Sequence, residues 1–231
     1  MEQNAEPENI MTQSDLHTIM MAVIHDTKNA LFQAQGMLDQ LQIKLSEPFE
    51  EVTLAQHELT TVNQSIMRLL TLYKMQTDKF SLHRDQYHVD DFLQELVLGN
   101  NSIHSAKNIA VLIECDEYLE WFFDADLLAN VINSILNNTL RYTKSKIILR
   151  AEEVDQQLQI SIIDDGHGFP KQMLENSHDL KTNINFKLSN SGLGLYFAEK
   201  IANMHNNNAH KGYTEISNRA EGGGCFMINL P

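Results

Sequence analysis

The feature that most restricts the fold of this chain is a pair of long apolar stripes near its start. Leu16, Met20, Val23, Thr27, Ala30 or Leu31, Ala34, Leu38 and Leu41 recur at steps of three and four residues, the repeat of one helix face. Ser14 suits the N-cap of that helix, and Asp15 suits the positive end of its dipole. Gly36 is the one helix-weakening residue in the run, tolerated at ~1 kcal/mol. The stretch "SEPFEE", 46 to 51, ends the pattern, because Pro48 fits a first turn and not a helix interior. A second stripe follows through Leu54, Leu59, Val62, Ile66, Leu69, Leu70 and Tyr73. Two helices of roughly 30 residues, each ~45 Å long, joined by a short turn, form an antiparallel helical hairpin. One hairpin cannot bury stripes that long. A second copy can, which predicts a homodimeric four-helix bundle.

Composition removes some functions. With 231 residues the chain has room for one large domain or two small ones. A net charge of −14 argues against nonspecific binding of nucleic acid or an anionic membrane. Cys115 and Cys225 stand far apart in apolar surroundings, which predicts buried thiols in a reducing compartment and neither a zinc site nor a disulfide framework. No apolar run reaches membrane-spanning length, and the opening "MEQNAEPENI" is acidic and not signal-like. The expectation is a cytoplasmic chain with no membrane insertion, organised as a flexible N-terminus over 1–12, the helical hairpin over 13–80 and a second domain over 81–231.

The second domain reads as α+β, a mixed sheet backed by helices on one face. A helix from about Asp90 to Ala106 precedes the strand-like runs "IAVLIE" and "LEWFF". The segment "DADLLANVINSILNNTLRYT" is helical, with Asp124 or Asp126 able to cap it. "KIILRAE" and "LQISIID" pair across the polar turn "EVDQQ". A polar stretch runs into the helix "LYFAEKIANMH", and two final strands, "GYTEISN" and "CFMINL", are linked by "RAEGGG".

Three segments of this domain carry chemistry. In "IIDDGHGFP" a strand ends in Asp164, and Gly166 and Gly168 follow. A carboxylate there can accept a hydrogen bond from an exocyclic amine, and the glycines let backbone approach a flat ring. By itself D-x-G-x-G is more often a tight turn after a strand. In "SNSGLGLYFAEK" the glycines Gly192 and Gly194 precede a helix, so that free N–H groups can cradle phosphate; alone this is equally an ordinary helix entry. The helix "NVINSILNNTLRYT", 130–143, carries a polar edge of Asn138, Arg141 and Tyr142. Asn138 offers a neutral oxygen to Mg²⁺, and Arg141, one turn on, can reach phosphates.

Taken in order, the Asn-bearing helix, strand pair, D-x-G-x-G, polar stretch, G-L-G-L and closing Gly-rich hairpin resemble the catalytic domain of sensor histidine kinases, in the Bergerat-fold ATPase superfamily. The resemblance covers about residues 96 to 231. It implies that Asp164 binds the adenine amine of ATP and that Gly166 and Gly168 line the base pocket. It also implies that Asn138 holds Mg²⁺, that Arg141 and Tyr142 face phosphates or sugar, and that Gly192, Leu193, Gly194 and Leu195 cradle the phosphate tail. Lys171 to Asn190 would form the lid over ATP.

The chain departs from the family at Ser134, with Asn133 beside it, where an asparagine is usual, and at Asn190 in place of a glycine. The lid has no phenylalanine-rich motif, Phe186 being its candidate. Water-using relatives keep a glutamate at position 134, and Ser134 cannot take a proton at neutral pH. This points to a phosphoryl acceptor other than water.

On the first stripe, "AVIHDTKNAL" places His25 beside Asp26, with Lys28 and Asn29 one turn on. "HDTKN" resembles the phosphoacceptor box of the same kinases. The resemblance makes His25 the phosphoacceptor and Asp26 its orienting base. Asn29 lies one turn from His25 on the same face, where its amide can align a water for removing phosphate from a partner aspartate. Lys28 offsets phosphate charge or simply solvates the helix. The expected protein is a two-domain α plus α/β histidine kinase using ATP and Mg²⁺. It would be a homodimer that phosphorylates a response regulator receiver domain. The chain shows no sensor, so it is a fragment or its signal comes from a separate sensor or upstream protein. The alternative is a histidine phosphotransferase or scaffold of the same architecture whose degenerate pocket does not bind ATP.

Overall fold

The computed structural model describes residues 13–45, 49–75, 80–100, 104, 107–175, 192–207 and 209–231. The chain divides into two compact units, Met1–Leu70 and Thr71–Pro231. The first unit holds helix α1 (Gln13–Lys44) and most of helix α2 (Glu50–Lys74). Helix α1 begins one residue ahead of the expected cap at Ser14; the side chains of Ser14 and Asp15, like Pro48, lie outside what is described. Helix α2 folds back along α1, and Gln56 Nε2 donates to Asp39 Oδ1 at 2.7 Å across the pair. Much of the apolar stripe stays in solvent within one chain. Val23 and Leu41 are exposed, as are Phe32, Met37 and Ile43 nearby.

The second unit contains strand β1 (Asp85–His88), helix α3 (Val89–Gly99), β2 (Ala110–Cys115), β3 (Glu120–Phe123), α4 (Ala125–Thr139), β4 (Lys146–Val154) and β5 (Gln157–Asp164). A short helix α5 (Lys171–Glu175), helix α6 (Gly192–Met204), β6 (Tyr213–Asn218) and β7 (Gly224–Leu230) complete it. Five strands form one sheet in the order β2-β4-β5-β7-β6, while β1 and β3 pair separately. The sheet is mixed because β2 and β4 run parallel, joined through β3 and α4, and the remaining neighbours are antiparallel. β4 and β5 are joined by Asp155 and Gln156, both at positive φ (50° and 62°), as a tight hairpin with strand twist requires.

Alternation along the strands sorts residues to two sides. Ile147, Leu149 and Ala151 on β4, Leu158, Ile160 and Ile162 on β5, and Phe226, Ile228 and Leu230 on β7 are buried. They meet the apolar stripes of α3, α4 and α6, led by Leu93, Leu128, Ile132, Leu136, Phe197 and Ile201. On the opposite side Glu114, Arg150 and Glu152 face solvent, where Arg150 donates twice to Glu114 Oε2. No helix among the described residues is long and apolar enough to cross a membrane.

Several local expectations need correction. Helix α3 stops at Gly99, not near Ala106: Asn100 caps it, its Nδ2 donating to Leu96 O and to Asn133 Oδ1. Helix α4 stops at Thr139, so Arg141 and Tyr142 lie in the following turn and not on the helix. Their N–H groups bond to Asn138 O and Thr139 O, a tightened last turn. Gly192 and Gly194 sit inside the first turn of α6, not ahead of it. The pairing of β1 with β3 had no sequence signal, and α5 occupies the start of the expected lid. The lid beyond residue 175, with Phe186 and Asn190, lies outside the described residues.

Candidate functional site

Two sites emerge, one in each unit. In the second unit, helix α4 starts where Asp124 Oδ1 accepts from Leu127 N at 3.1 Å, one of the two N-caps expected for this helix. Its far end carries Ile135, Asn138 and Thr139 into the wall of a cavity of about 360 Å³. β5 delivers Asp164 to the same cavity, and β7 delivers Phe226, which pairs in register with Ile162 two residues before Asp164. Leu195, from the first turn of α6, closes another side. The mixture of an apolar floor with a few convergent polar groups is the ordinary form of a small-molecule pocket.

The Asp164 carboxylate is aimed by two backbone donors. Gly166 N–H donates to Oδ1 at 2.6 Å and Gly224 N–H donates to Oδ2 at 3.1 Å. Each oxygen keeps a lone pair for a ligand N–H. Gly166 is needed for close approach: a Cβ there would run into the carbonyl of Tyr142 and come within 2.8 Å of Asp164 Oδ1. Gly168 has φ +74°, a conformation that favours glycine. Beyond it, Asn218 clasps the loop, accepting from Phe169 N at 2.6 Å and donating to Phe169 O at 2.8 Å.

Asp165 ties this loop to the segment after α4. It accepts from Lys144 N and Ser145 N, each at 3.0 Å, and from Ser145 Oγ at 2.6 Å. Partial desolvation pushes its carboxyl up, but the bonds from Ser145, Lys146 and Lys144 outweigh it and hold the group well below the usual carboxylate range.

Of the residues expected from sequence, Asn138, Tyr142, Asp164, Gly168 and Leu195 line the cavity. Gly166 backs it. Gly194 packs against α4, where an added Cβ would stand 3.1 Å from Ser134 Oγ and 3.6 Å from Asn138 Nδ2. Ser134 itself is buried. Arg141, Gly192 and Leu193 are not among the lining residues. Sequence reading missed Ile135, Thr139, His167, Phe169, Pro170 and Phe226 of the lining, and the two clasps Asp165 and Asn218, while Met173 falls within the expected lid. His167, Phe169 and Pro170 were in plain view as the tail of D-x-G-x-G. Phe226 and Asn218 could be found only from strand register.

The donor set fits magnesium in a limited sense. Among the described residues no cluster of three His, Cys, Asp or Glu could cage a metal. Asn138 offers a neutral amide oxygen beside the cavity, the kind of site at which Mg²⁺ draws its remaining ligands from phosphates and water.

In the hairpin unit, helix α1 brings His25, Asp26 and Asn29 together. Asp26 Oδ1 lies 3.3 Å from His25 Nδ1, and Asn29 Nδ2 lies 3.3 Å from the same nitrogen. The side chains of His25 and Asp26 are 72% and 83% exposed. Both contacts are at Nδ1, which leaves Nε2 as the nitrogen open to an incoming group.

Comparison with known proteins gives the following. Residues 123–231 match the family model described as histidine kinase-, DNA gyrase B-, and HSP90-like ATPase. The chain is 24% identical over 242 residues to the adaptive-response sensory kinase SasA of Synechocystis, an alignment covering 98% of this chain and 62% of that protein. It therefore spans under two thirds of the relative's length. Among solved structures, the catalytic domain of histidine kinase ThkA superposes with a TM-score of 0.53 at 20% identity, covering 64% of this chain and 95% of that one. Full-length ShkA, solved in complex with AMPPNP, gives 0.65 at 15% identity, covering 93% of this chain and 45% of that one. At these identities the structural likeness speaks for the fold: helices with a mixed sheet of the Bergerat type.

Proposed function

We propose that this chain, which carries in residues 123–231 a histidine kinase-, DNA gyrase B- and HSP90-like ATPase domain and resembles sensor histidine kinases, phosphorylates its own His25 from ATP. The phosphoryl group then passes to an aspartate on the receiver domain of a response regulator. The observation that carries this reading is the exposed imidazole of His25, with Asp26 and Asn29 both at Nδ1.

With Nδ1 protonated and turned to Asp26, the Nε2 lone pair forms the N–P bond to the γ-phosphorus. The bond to the ADP oxygen breaks with its electron pair, and the Nδ1 proton moves toward Asp26. Asp164 receives the exocyclic amine of adenine, and Phe226 and Ile135 supply apolar walls for the ring. The first turn of α6, with Gly192 to Leu195, faces the phosphate tail, and Arg141 and Tyr142 stand at the sugar or phosphate side. Mg²⁺ held through Asn138 supplies charge neutralisation for phosphoryl transfer. Ser134 gives no carboxylate to activate water, which favours a protein acceptor. Asn29 aligns a water for dephosphorylating the regulator.

A second copy of the chain completes the hairpin. Val23, Phe32, Leu41 and Ile43 leave apolar surface exposed along α1, which a second hairpin would cover. The domains run as a hairpin over 13–80 and a catalytic domain over 81–231. Use of ATP places the activity in the cytoplasm, with the signal supplied by a separate sensor or by sequence outside this chain.

One observation favours a second reading. Ser134 replaces the usual asparagine beside Gly194, as in a phosphotransferase or scaffold whose pocket has lost ATP. Calorimetry with a non-hydrolysable ATP analogue and Mg²⁺ separates the two, since only the kinase reading predicts binding that Asp164→Ala removes. Phosphotransfer profiling against a panel of receiver domains tests the rest. Rapid transfer to one of them is expected, and a labelled chain that passes phosphate to none would reject the relay.

A further inference from the structure

His25 Nδ1 stands 3.3 Å from Asp26 Oδ1 and 3.3 Å from Asn29 Nδ2. A neutral imidazole nitrogen is a donor or an acceptor, never both. The Asp26 carboxylate only accepts, so its contact is a hydrogen bond when Nδ1 holds the proton. The Asn29 amide nitrogen only donates, so its contact is a hydrogen bond when Nδ1 is bare. The two contacts therefore belong to two tautomers of one ring, and Asp26 and Asn29 compete for a single atom.

The tautomers differ in reactivity. With the proton on Nδ1, the Nε2 lone pair points outward and can bond to phosphorus. With the proton on Nε2, the lone pair lies at Nδ1 between Asp26 and Asn29, and Nε2 cannot form a bond until that proton leaves. We infer that Asn29 is a positioning residue that donates to Nδ1, holds a share of His25 in the unreactive Nε2–H tautomer, and so restrains phosphoryl acceptance. Asp26 pulls the other way. The consequence for phosphorylation rests on the function proposed above; the tautomer populations do not.

The test is long-range ¹H–¹⁵N NMR of the full chain labelled at histidine nitrogens. Spectra are taken near pH 8.5, about two units above the ordinary histidine pKa. His25 is assigned by its loss in His25→Gln. Asn29→Ala and Asn29→Asp should each raise the ratio of Nδ1–H to Nε2–H by about two- to twelvefold, the weight of one ordinary hydrogen bond. Asp26→Ala should lower it. Autophosphorylation from γ-labelled ATP should quicken by a similar factor in Asn29→Ala.

Position 29 is exposed on a helix and alanine favours helices, so both variants fold. An unchanged ratio in both variants would overturn the inference even if His25 takes label normally. A shift toward Nε2–H would also overturn it, because the amide would then be accepting from Nδ1. A ratio that moves as expected in a chain that takes no label would uphold the competition and defeat the kinase reading alone.

Discussion

The backbone N–H of Asp124 donates to His205 Nε2 at 3.0 Å, joining the start of helix α4 to the end of helix α6. His205 Nδ1 lies 2.8 Å from Ile201 O and donates to it, so both ring nitrogens are used and the ring is neutral. Burial lowers its pKa, the Ile201 carbonyl raises it, the Arg84 charge lowers it and Asp124 raises it, with a net lowering from 6.5. The folded protein thus binds fewer protons here than the unfolded one. The stability this contributes is complete above about pH 6.5 and drains as pH falls toward the folded pKa, at no more than ~1.4 kcal/mol per pH unit. Thermal melts from about pH 7.5 to pH 5 should show a smaller fall in His205→Gln than in the parent chain.

Asp124 also accepts from His83 N through Oδ2 at 2.9 Å, while Oδ1 caps α4. Asp124→Ala should lower stability by about 1–2 kcal/mol, read as a shift of the denaturant midpoint. Asp124→Asn, which keeps one accepting oxygen but turns an NH₂ group onto the other backbone N–H, should recover only part of it.

Asp165 holds the glycine loop to Lys144 and Ser145 through bonds that Asp165→Ala removes. Because its folded pKa is depressed, its contribution is present above the ordinary carboxylate value of 3.8 and is lost as pH falls through the folded value. At neutral pH the substitution should weaken ATP-analogue binding about tenfold, ~1.4 kcal/mol, with secondary structure retained. Calorimetry beside far-UV circular dichroism checks both halves.

Gly166 approaches the Tyr142 carbonyl too closely for any side chain. Gly166→Ala should abolish analogue binding and destabilise the unit by about 1–3 kcal/mol, the range for overpacking. Gly222, at φ +95° with open space around it, bears on the turn and not on the cavity. Gly222→Ala should lower stability through strain and leave nucleotide affinity unchanged.

The exposed apolar stripe predicts self-association. Analytical ultracentrifugation should find a dimer, and Val23→Asp combined with Leu41→Asp should shift it toward monomer, since each carboxylate would otherwise be buried unpaired.

What could be read from the chain was whatever local periodicity encodes. The helical stripes through Val23 and Leu41, the alternation of β5 ending at Asp164, and the cap at Asp124 are all patterns within a few residues. β1 escaped because "DQYH" is short and polar, and it becomes a strand only by pairing Asp85 with Phe123, far along the chain. Asn218 was legible as the end of a strand but not as a clasp, since its partner Phe169 lies 49 positions away. Phe226 was legible as core, but its place beside Asp164 depends on β5–β7 register. The turn containing Arg141 was read as helix because no glycine or proline marks its end; the tightening shows only in the bonds to Asn138 and Thr139.

In the proposed reaction His25 accepts the γ-phosphoryl group through Nε2. Incubation with Mg²⁺ and γ-labelled ATP, followed by acid and base treatment and ³¹P NMR of the labelled chain, tests it directly. The expected result is acid-labile, base-stable label at Nε2 of His25 that disappears in His25→Gln while ATP-analogue binding persists. Label of undiminished amount in His25→Gln would contradict it.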